Sequence, residues 1–495
     1  MRRRTATGAA ATADVPDLTA PAPDAPAPEP ASPPGRFDRT LIAPMLLGSI
    51  LNPVNSSMLA VALIPIGDYF DVSPAQTAWL ITGLYLATAV GQPVMGRLVD
   101  LFGPKPLYLV GTSIVGVAGL MGAFAPALGV LIASRVLLGI GTSAAYPAAM
   151  SLIRSESERT GQKSPAGVLS MLTIANQVIV VIGPTTGGLL IGLGGWHLIF
   201  TVNAPLSLAC LVLGALYLPA RTRRSTARGL SSIDIPGMLL FAGALVALML
   251  FLMQPRLART WLLAVMAAIV VVFVLRELRV PTPFVDVRVL RGNGPLLATY
   301  GRQLLAYTTS YAFIYGYPQW LEEGRSLSPS AAGMVLLPMS AGAIVITAIT
   351  GRRAAVRRKL LAGSLIQLSA CAALLLVGSA SPIWTLVLVG MVVGLPQGLN
   401  GLANQNALYH QAAPERLASS AGLLRTCNYL GALVAAAAQA AFYDGGATST
   451  GLHHLSWFLM GVAGVLLVMA LADRSLSRIG AAEDAERRAA RRARR

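Results

Sequence analysis

Acidic side chains are scarce in this 495-residue chain, 21 Asp and Glu against 38 Lys and Arg, and charged residues of both signs reach only 12%. Soluble domains carry about 25%, so a globular protein bathed in water is excluded. Cysteine is scarcer still: Cys210, Cys371 and Cys427 all fall inside apolar runs, which argues against a disulfide framework or a zinc site and leaves them as packing residues. The histidines, His197, His410, His453 and His454, have no carboxylates at ligand spacing, and no cluster of nucleophile, acid and base suggests a membrane enzyme. A Gly-rich phosphate loop ending in Lys-Ser or Lys-Thr is missing, so ATP is not the expected power source, and no cofactor or metal is implied. Residues 1–40 lack large apolar side chains and the apolar core of a signal peptide; rich in Pro and Ala, they read as a disordered cytoplasmic segment.

What is present is hydrocarbon: 55% of residues are hydrophobic and the mean hydropathy is +0.64. Runs of about 20 apolar residues, enough to cross a bilayer, occur at 41–66, 77–97, 106–124, 127–153, 166–193, 196–219, 235–254, 259–275, 294–320, 329–350, 359–379, 382–408, 418–442 and 454–473. The pattern predicts an all-α polytopic membrane protein with 14 transmembrane helices. Basic residues fix its orientation, because cytoplasmic loops accumulate Lys and Arg. With the N-terminus inside, only Arg256, Arg259 and Arg325 fall in outer loops and only Arg135, Arg302 and Arg425 inside spans; all other basic residues lie on the cytoplasmic side, which puts both termini there. The net charge of +17 is thus mainly a topology signal. The tail RRAARRARR suits anionic membrane lipid or simple solubility better than nucleic acid.

Two outer loops end in Ser-Pro (Ser73-Pro74, Ser328-Pro329), and each opens a span closing with Gly-Arg, Gly96-Arg97 and Gly351-Arg352, 23 residues from Ser to Gly both times. Two further spans open alike, at Ala166-Gly167 and Ala421-Gly422. A six-span unit therefore occurs twice, around an inserted pair, as in many secondary transporters. The expected organisation is a segment 1–40, a first six-helix bundle 41–220, an inserted helix pair with its connection 221–293, a second six-helix bundle 294–474 and a basic cytoplasmic tail 475–495.

GRLVDLFGPKPLYL, residues 96–109, joins spans 2 and 3. Gly96 allows backbones to approach, Gly103 a tight turn, and Asp100 and Lys105 set an acid and a base at the membrane edge. Through Gly96, Leu98, Asp100, Gly103 and Lys105 this stretch resembles the loop signature G-x-L-a-D-r-x-G-r-k of the major facilitator superfamily, with Leu101 and Pro104 at positions that are basic in the pattern. Arg135, Gly139 and Gly141 match the fourth-span pattern R-x-x-q-G-x-G, with Leu138 for the glutamine; GPTTGG (183–188) resembles the fifth-span antiporter motif, and WHLIFTVNAP (196–205) the start of the sixth span. With fourteen spans, the chain resembles the fourteen-span drug:proton antiporter branch over residues 41 to 474. Independently of that name, Gly183/Gly187 and Gly188/Gly192 offer two small-residue grooves and Pro184 permits a bend, which suits either a hinge or plain packing.

Arg135, deep in span 4, requires compensation that a membrane interior does not supply. Asn55, Ser56 and Ser57 of span 1, with Asn176 and Gln177 of span 5, are expected to line a wet cavity that solvates it, and the resemblance implies a coupling role. In the same span, LNPVNSSMLAVAL, the family acid is replaced by Asn55, and no Asp or Glu remains mid-span, so the cavity should carry a positive field favouring neutral or anionic amphipaths. Further cavity candidates are Asn52, a stripe of Tyr300, Gln303, Tyr307, Tyr311 and Tyr315 on span 9, and the amides of span 12, Gln397, Asn400, Asn404, Gln405 and Asn406. Arg302 and Arg425 either join that surface or snorkel to the cytoplasm. The combined expectation is a secondary transporter of a bacterial cytoplasmic membrane, an Arg- and Ala-rich chain fitting a GC-rich genome, that exports a hydrophobic or amphipathic small molecule by proton antiport. An uptake carrier or proton-independent exchanger of an anionic or neutral metabolite is the alternative within the class, and a channel the alternative outside it.

Overall fold

The computed structural model describes residues 37–479 except 60, 73, 161–165, 220–233, 254–256, 328, 352–354, 444–445 and 478. The Pro/Ala-rich segment, Ser73, Ser328, Arg352 and the RRAARRARR tail lie outside the described residues. Among those described there is no strand. The first half comprises α1 (Ile42–Leu59), α2 (Leu63–Phe70), α3 (Pro74–Phe102), α4 (Pro104–Ala123), α5 (Leu128–Thr142), α6 (Ala145–Thr160), α7 (Ala166–Gly194), α8 (His197–Thr201) and α9 (Asn203–Tyr217). A pair, α10 (Ile235–Met253) and α11 (Trp261–Glu277), and the short α12 (Val287–Gly292) lead to the second half: α13 (Gly294–Glu323), α14 (Pro329–Thr350), α15 (Val356–Leu374), α16 (Ile383–Gln411), α17 (Leu417–Phe442) and α18 (Ser449–Ala472). Nine helices among the described residues are long and apolar enough to cross a membrane by length and composition. Helices satisfy their own backbone polar groups, which is what a hydrocarbon surrounding demands.

Three of the apolar runs are broken. The run 127–153 divides into α5 and α6 at Ser143, whose hydroxyl bonds back to the Gly139 carbonyl at 2.6 Å while its N–H turns to Ile140; such back-bonding competes with the helical ladder. The run 41–66 divides between α1 and α2, and 196–219 divides at Val202.

Packing repeats between the halves. As α3 packs on α5, α4 on α5 and α9, and α1 on α7, so α14 packs on α16, α15 on α16 and α18, and α13 on α17. The halves meet along α3–α17 and α7–α14. The loops joining α3 to α4 and preceding α17 mark one end of the bundle, called here the basic end for its Arg97, Lys105, Arg154, Arg159 and Arg416. There a single apolar core joins the halves, with Met45, Leu152 and Ile153 packed among Leu402, Leu408, Leu417 and Leu424. Toward the opposite end each half has its own core, one around Leu59, Leu131 and Phe200, the other around Phe313, Trp320 and Leu455. The halves are therefore fused at one end and separate at the other.

Candidate functional site

Between the halves, above the shared core, lies a cavity of about 680 Å³. α1 supplies Ser49, Asn52, Ser56 and Ser57, and α7 supplies Asn176, Gln177, Val180 and Pro184. α13 contributes Tyr307, Tyr311 and Tyr315, α14 contributes Met334 and Leu337, and α17 contributes Arg425, Asn428 and Tyr429. Six tyrosines face it, Tyr85 and Tyr146 being the remaining two, and among its lining residues Arg425 alone is charged. Tyr307 and Tyr311 have ring centroids 5.9 Å apart, and Tyr311 stacks on Tyr315 at 5.7 Å. Tyr85 and Tyr315 share a hydrogen bond of 3.1 Å across the halves, and the Tyr429 hydroxyl donates to Asn52 at 3.4 Å. On the side of α3 and α17, Met249 of α10 packs against Ala89 and Tyr429, so the inserted pair backs that wall.

Not every expected residue meets this space. Tyr300 donates to the Ser420 carbonyl and Gln303 to Asn428, both turned into α17 rather than the cavity. Asn404 is fully buried outside the lining, and of the span 12 amides Gln397 alone is on the wall; Asn400 is paired with Gln367 at 2.9 Å. The reason is depth: the basic-end turns of α13 and α16 are already inside the shared core.

Arg135 is likewise absent from the cavity wall. Its side chain is completely buried, Nη2 donating to the Asn55 carbonyl at 3.1 Å and Nε to the Leu80 carbonyl at 3.4 Å, with the guanidinium carbon 5.8 Å from the Phe200 ring. Backbone carbonyls and a ring face, not cavity water, receive the charge. Asn55 is buried too, in a reciprocal amide pair with Asn203: Nδ2 to Oδ1 2.6 Å one way and 2.9 Å the other. Arg302 does not snorkel; it is fully buried and held by Asp473 at 2.7 Å and Thr299 at 2.7 Å.

At the basic end the 96–109 stretch caps two helices. Asp100 accepts from the Ala418 and Ser419 N–H groups at 3.0 and 2.9 Å and from the Ser419 hydroxyl, so a carboxylate of the first half caps the first turn of α17 in the second. Burial pushes its carboxyl up to about 6, against the opposing pull of Ser419, Ala418 and Arg97. Lys105 donates to the Ala215 and Leu218 carbonyls, both at 2.8 Å, capping the C-terminus of α9. Gly103, with φ of 90°, makes the turn between α3 and α4. A Cβ at Gly96 would run into the Ala418 carbonyl, and one at Gly422 into that of Gln92, so α3 and α17 meet at backbone contact. In GPTTGG, Gly183 and Gly187 pack on Ser57 and Met58 of α1 and on Val61 just beyond its end. Gly188 and Gly192 have nothing within 4 Å of a Cβ position, because one residue further on the helix faces away from α1.

A helical bundle whose two repeated halves enclose a polar and aromatic cavity belongs to the class of membrane transporters. The sequence profile described as Major Facilitator Superfamily matches residues 45–436, and the chain belongs to that family. It is 31% identical over 432 residues, 86% of this chain and 94% of the relative, to the uncharacterized MFS-type transporter YwoD of Bacillus subtilis. It is 31% identical over 397 residues, 77% of this chain and 79% of the relative, to the lincomycin resistance protein of Streptomyces lincolnensis. The crystal structure of the human organic anion transporter MFSD10 superposes with a TM-score of 0.61 at 17% identity, covering 88% of this chain and all of that one, which speaks to the fold.

Proposed function

We propose that the protein exports a hydrophobic or amphipathic small molecule across the bacterial cytoplasmic membrane by alternating access coupled to protons. In this reading fourteen spans, six plus two plus six, place both termini and the basic end in the cytoplasm, and membrane lipid surrounds the apolar outer faces. The observation that carries it is the cavity of about 680 Å³ built from both halves over a closed, shared core. A carrier needs such a site with one barrier in place and the other able to form. Resistance to lincomycin, in the name of one relative, fits the same reading.

Without a mid-span acid, proton coupling falls to the membrane edge, where Asp100 ties the halves together. The test is transport by purified protein in lipid vesicles against a panel of neutral, anionic and cationic amphipaths. Uptake should be stimulated by unlabelled compound on the far side and by an imposed pH gradient. Flux without such trans-stimulation would indicate a pore and overturn the carrier reading.

A further inference from the structure

Three arginines lie well inside the apolar runs, away from their ends, and two of them are engaged in structure: Arg135 by backbone carbonyls and Arg302 by Asp473. Arg425 differs. It lines the cavity, forms no ion pair among the described residues, and rests its guanidinium carbon 4.0 Å from the centroid of the Tyr146 ring. Tyr146 belongs to α6 of the first half and Arg425 to α17 of the second, so this cation–π contact spans the two at the floor of the cavity. Counted from Ala166 and Ala421, the repeat places Ser170 opposite Arg425, and Ser170 donates to the Thr347 carbonyl at 3.3 Å. The charge is thus one-sided. Above it stand Tyr307, Tyr311 and Tyr429, with the stack continuing to Tyr315.

We propose that Arg425 anchors the anionic head, a carboxylate or sulfonate, of an amphipathic substrate whose aromatic body lies against the tyrosines, and that the head draws the guanidinium off Tyr146. A guanidinium forms bidentate charge-assisted hydrogen bonds with such a head, and these exceed an aromatic face in strength. With low-dielectric walls and no competing carboxylate, the field concentrates anions at this point. Displacement removes a contact between the halves, so occupancy of the site loosens the closed end. This rests on the transporter reading of the cavity.

The test uses the full-length protein in zwitterionic nanodiscs with three fluorescent probes sharing one body: 1-pyrenebutyrate, its amide and the corresponding trimethylammonium. The wild-type protein should bind the carboxylate at least about tenfold tighter than the amide, and the cation weakest. Arg425→Gln should bind carboxylate and amide alike, and Arg425→Lys should retain part of the preference, showing that the site folds. Tyr146→Leu should bind the carboxylate about two- to fivefold tighter, since a competitor for the guanidinium is gone. Equal binding of carboxylate and amide by wild type, or a carboxylate preference that survives Arg425→Gln, overturns the anchor while leaving the amphipath cavity standing. Binding of none of the three overturns both. Weaker carboxylate binding in Tyr146→Leu overturns the displacement step.

Discussion

Asn55 is where this chain departs from the family pattern it resembles, and its surroundings explain how the position is kept neutral. Its amide is satisfied by Asn203 in both directions, and its carbonyl receives Arg135. An aspartate there would place an acceptor against the Asn203 oxygen but a negative charge beside the buried guanidinium. Asn55→Asp should therefore ion-pair with Arg135 and shift transport selectivity toward cations, measured as the ratio of matched cationic to anionic probe uptake in vesicles; an unchanged ratio would contradict it. Arg135 itself bridges α1, α3 and α5, its separate Nε and Nη2 donating to carbonyls on two different helices, a spread that the compact ammonium of a lysine does not reproduce. Arg135→Lys and Arg135→Ala should both lower the melting temperature and abolish transport, the alanine variant more severely because it also removes a fully buried side chain and leaves its volume empty. Asp100 makes the third residue-scale prediction. Its carboxyl is raised from 3.8 to about 6 in the closed form, so closure gains stability that is fully present below 3.8 and lost as pH rises through about 6. Hydrogen exchange at Ala418 and Ser419, corrected for the chemical rate, should increase over that window in the wild type and stay flat in Asp100→Asn.

At the scale of elements, the apolar runs were legible because a bilayer-length hydrophobic stretch survives any tertiary detail, and so was the turn glycine Gly103, whose backbone demand is local. The partners were not. Nothing near Asp100 in the sequence indicates that it caps a helix 318 residues away, and single tyrosines at 85, 146 and 429 give no periodic signal to join the stripe on α13. The runs 235–254 and 259–275 were legible as apolar segments, which the structure shows as helices α10 and α11, but the basic-end lock of that pair was not. There Arg276 holds Asp234 at 2.5 Å, Asp234 caps α10 through the Gly237 N–H at 2.9 Å, and fully buried Glu277 accepts from Val285 at 3.0 Å. Burial, then the neighbouring Asp234, lifts Glu277 to about 7. This stabilisation is present below 4.5 and is lost as pH rises through about 7. The melting temperature should accordingly fall as pH rises from 4.5 to about 7 in the wild type, and Glu277→Gln should reduce that slope; an identical slope in the variant would show that the lock does not titrate.

At the scale of the whole molecule, one end is fused by a shared core and helix caps while the other is divided between two separate cores. Such an arrangement places its conformational freedom in the α3–α17 and α7–α14 seams, and along the first of these Gly96 and Gly422 bring backbones together without interlocking side chains. The topology read from charge makes its own prediction here: in a cysteine-free background, cysteines at Ser326 and Thr450 should react with an impermeant thiol reagent in whole cells, and one at Ser157 should not. Alternating access is tested most directly by two electron-spin distances in the same reconstituted protein, one between labels at Phe102 and Glu415 at the basic end, the other between labels at Leu189 and Met334 at the opposite end. Moving the pH from 4 to 8 should lengthen the first distance and shorten the second in a matched fraction of molecules. Both distances lengthening together, or one changing while the other stays fixed, would contradict a carrier whose two ends open in turn.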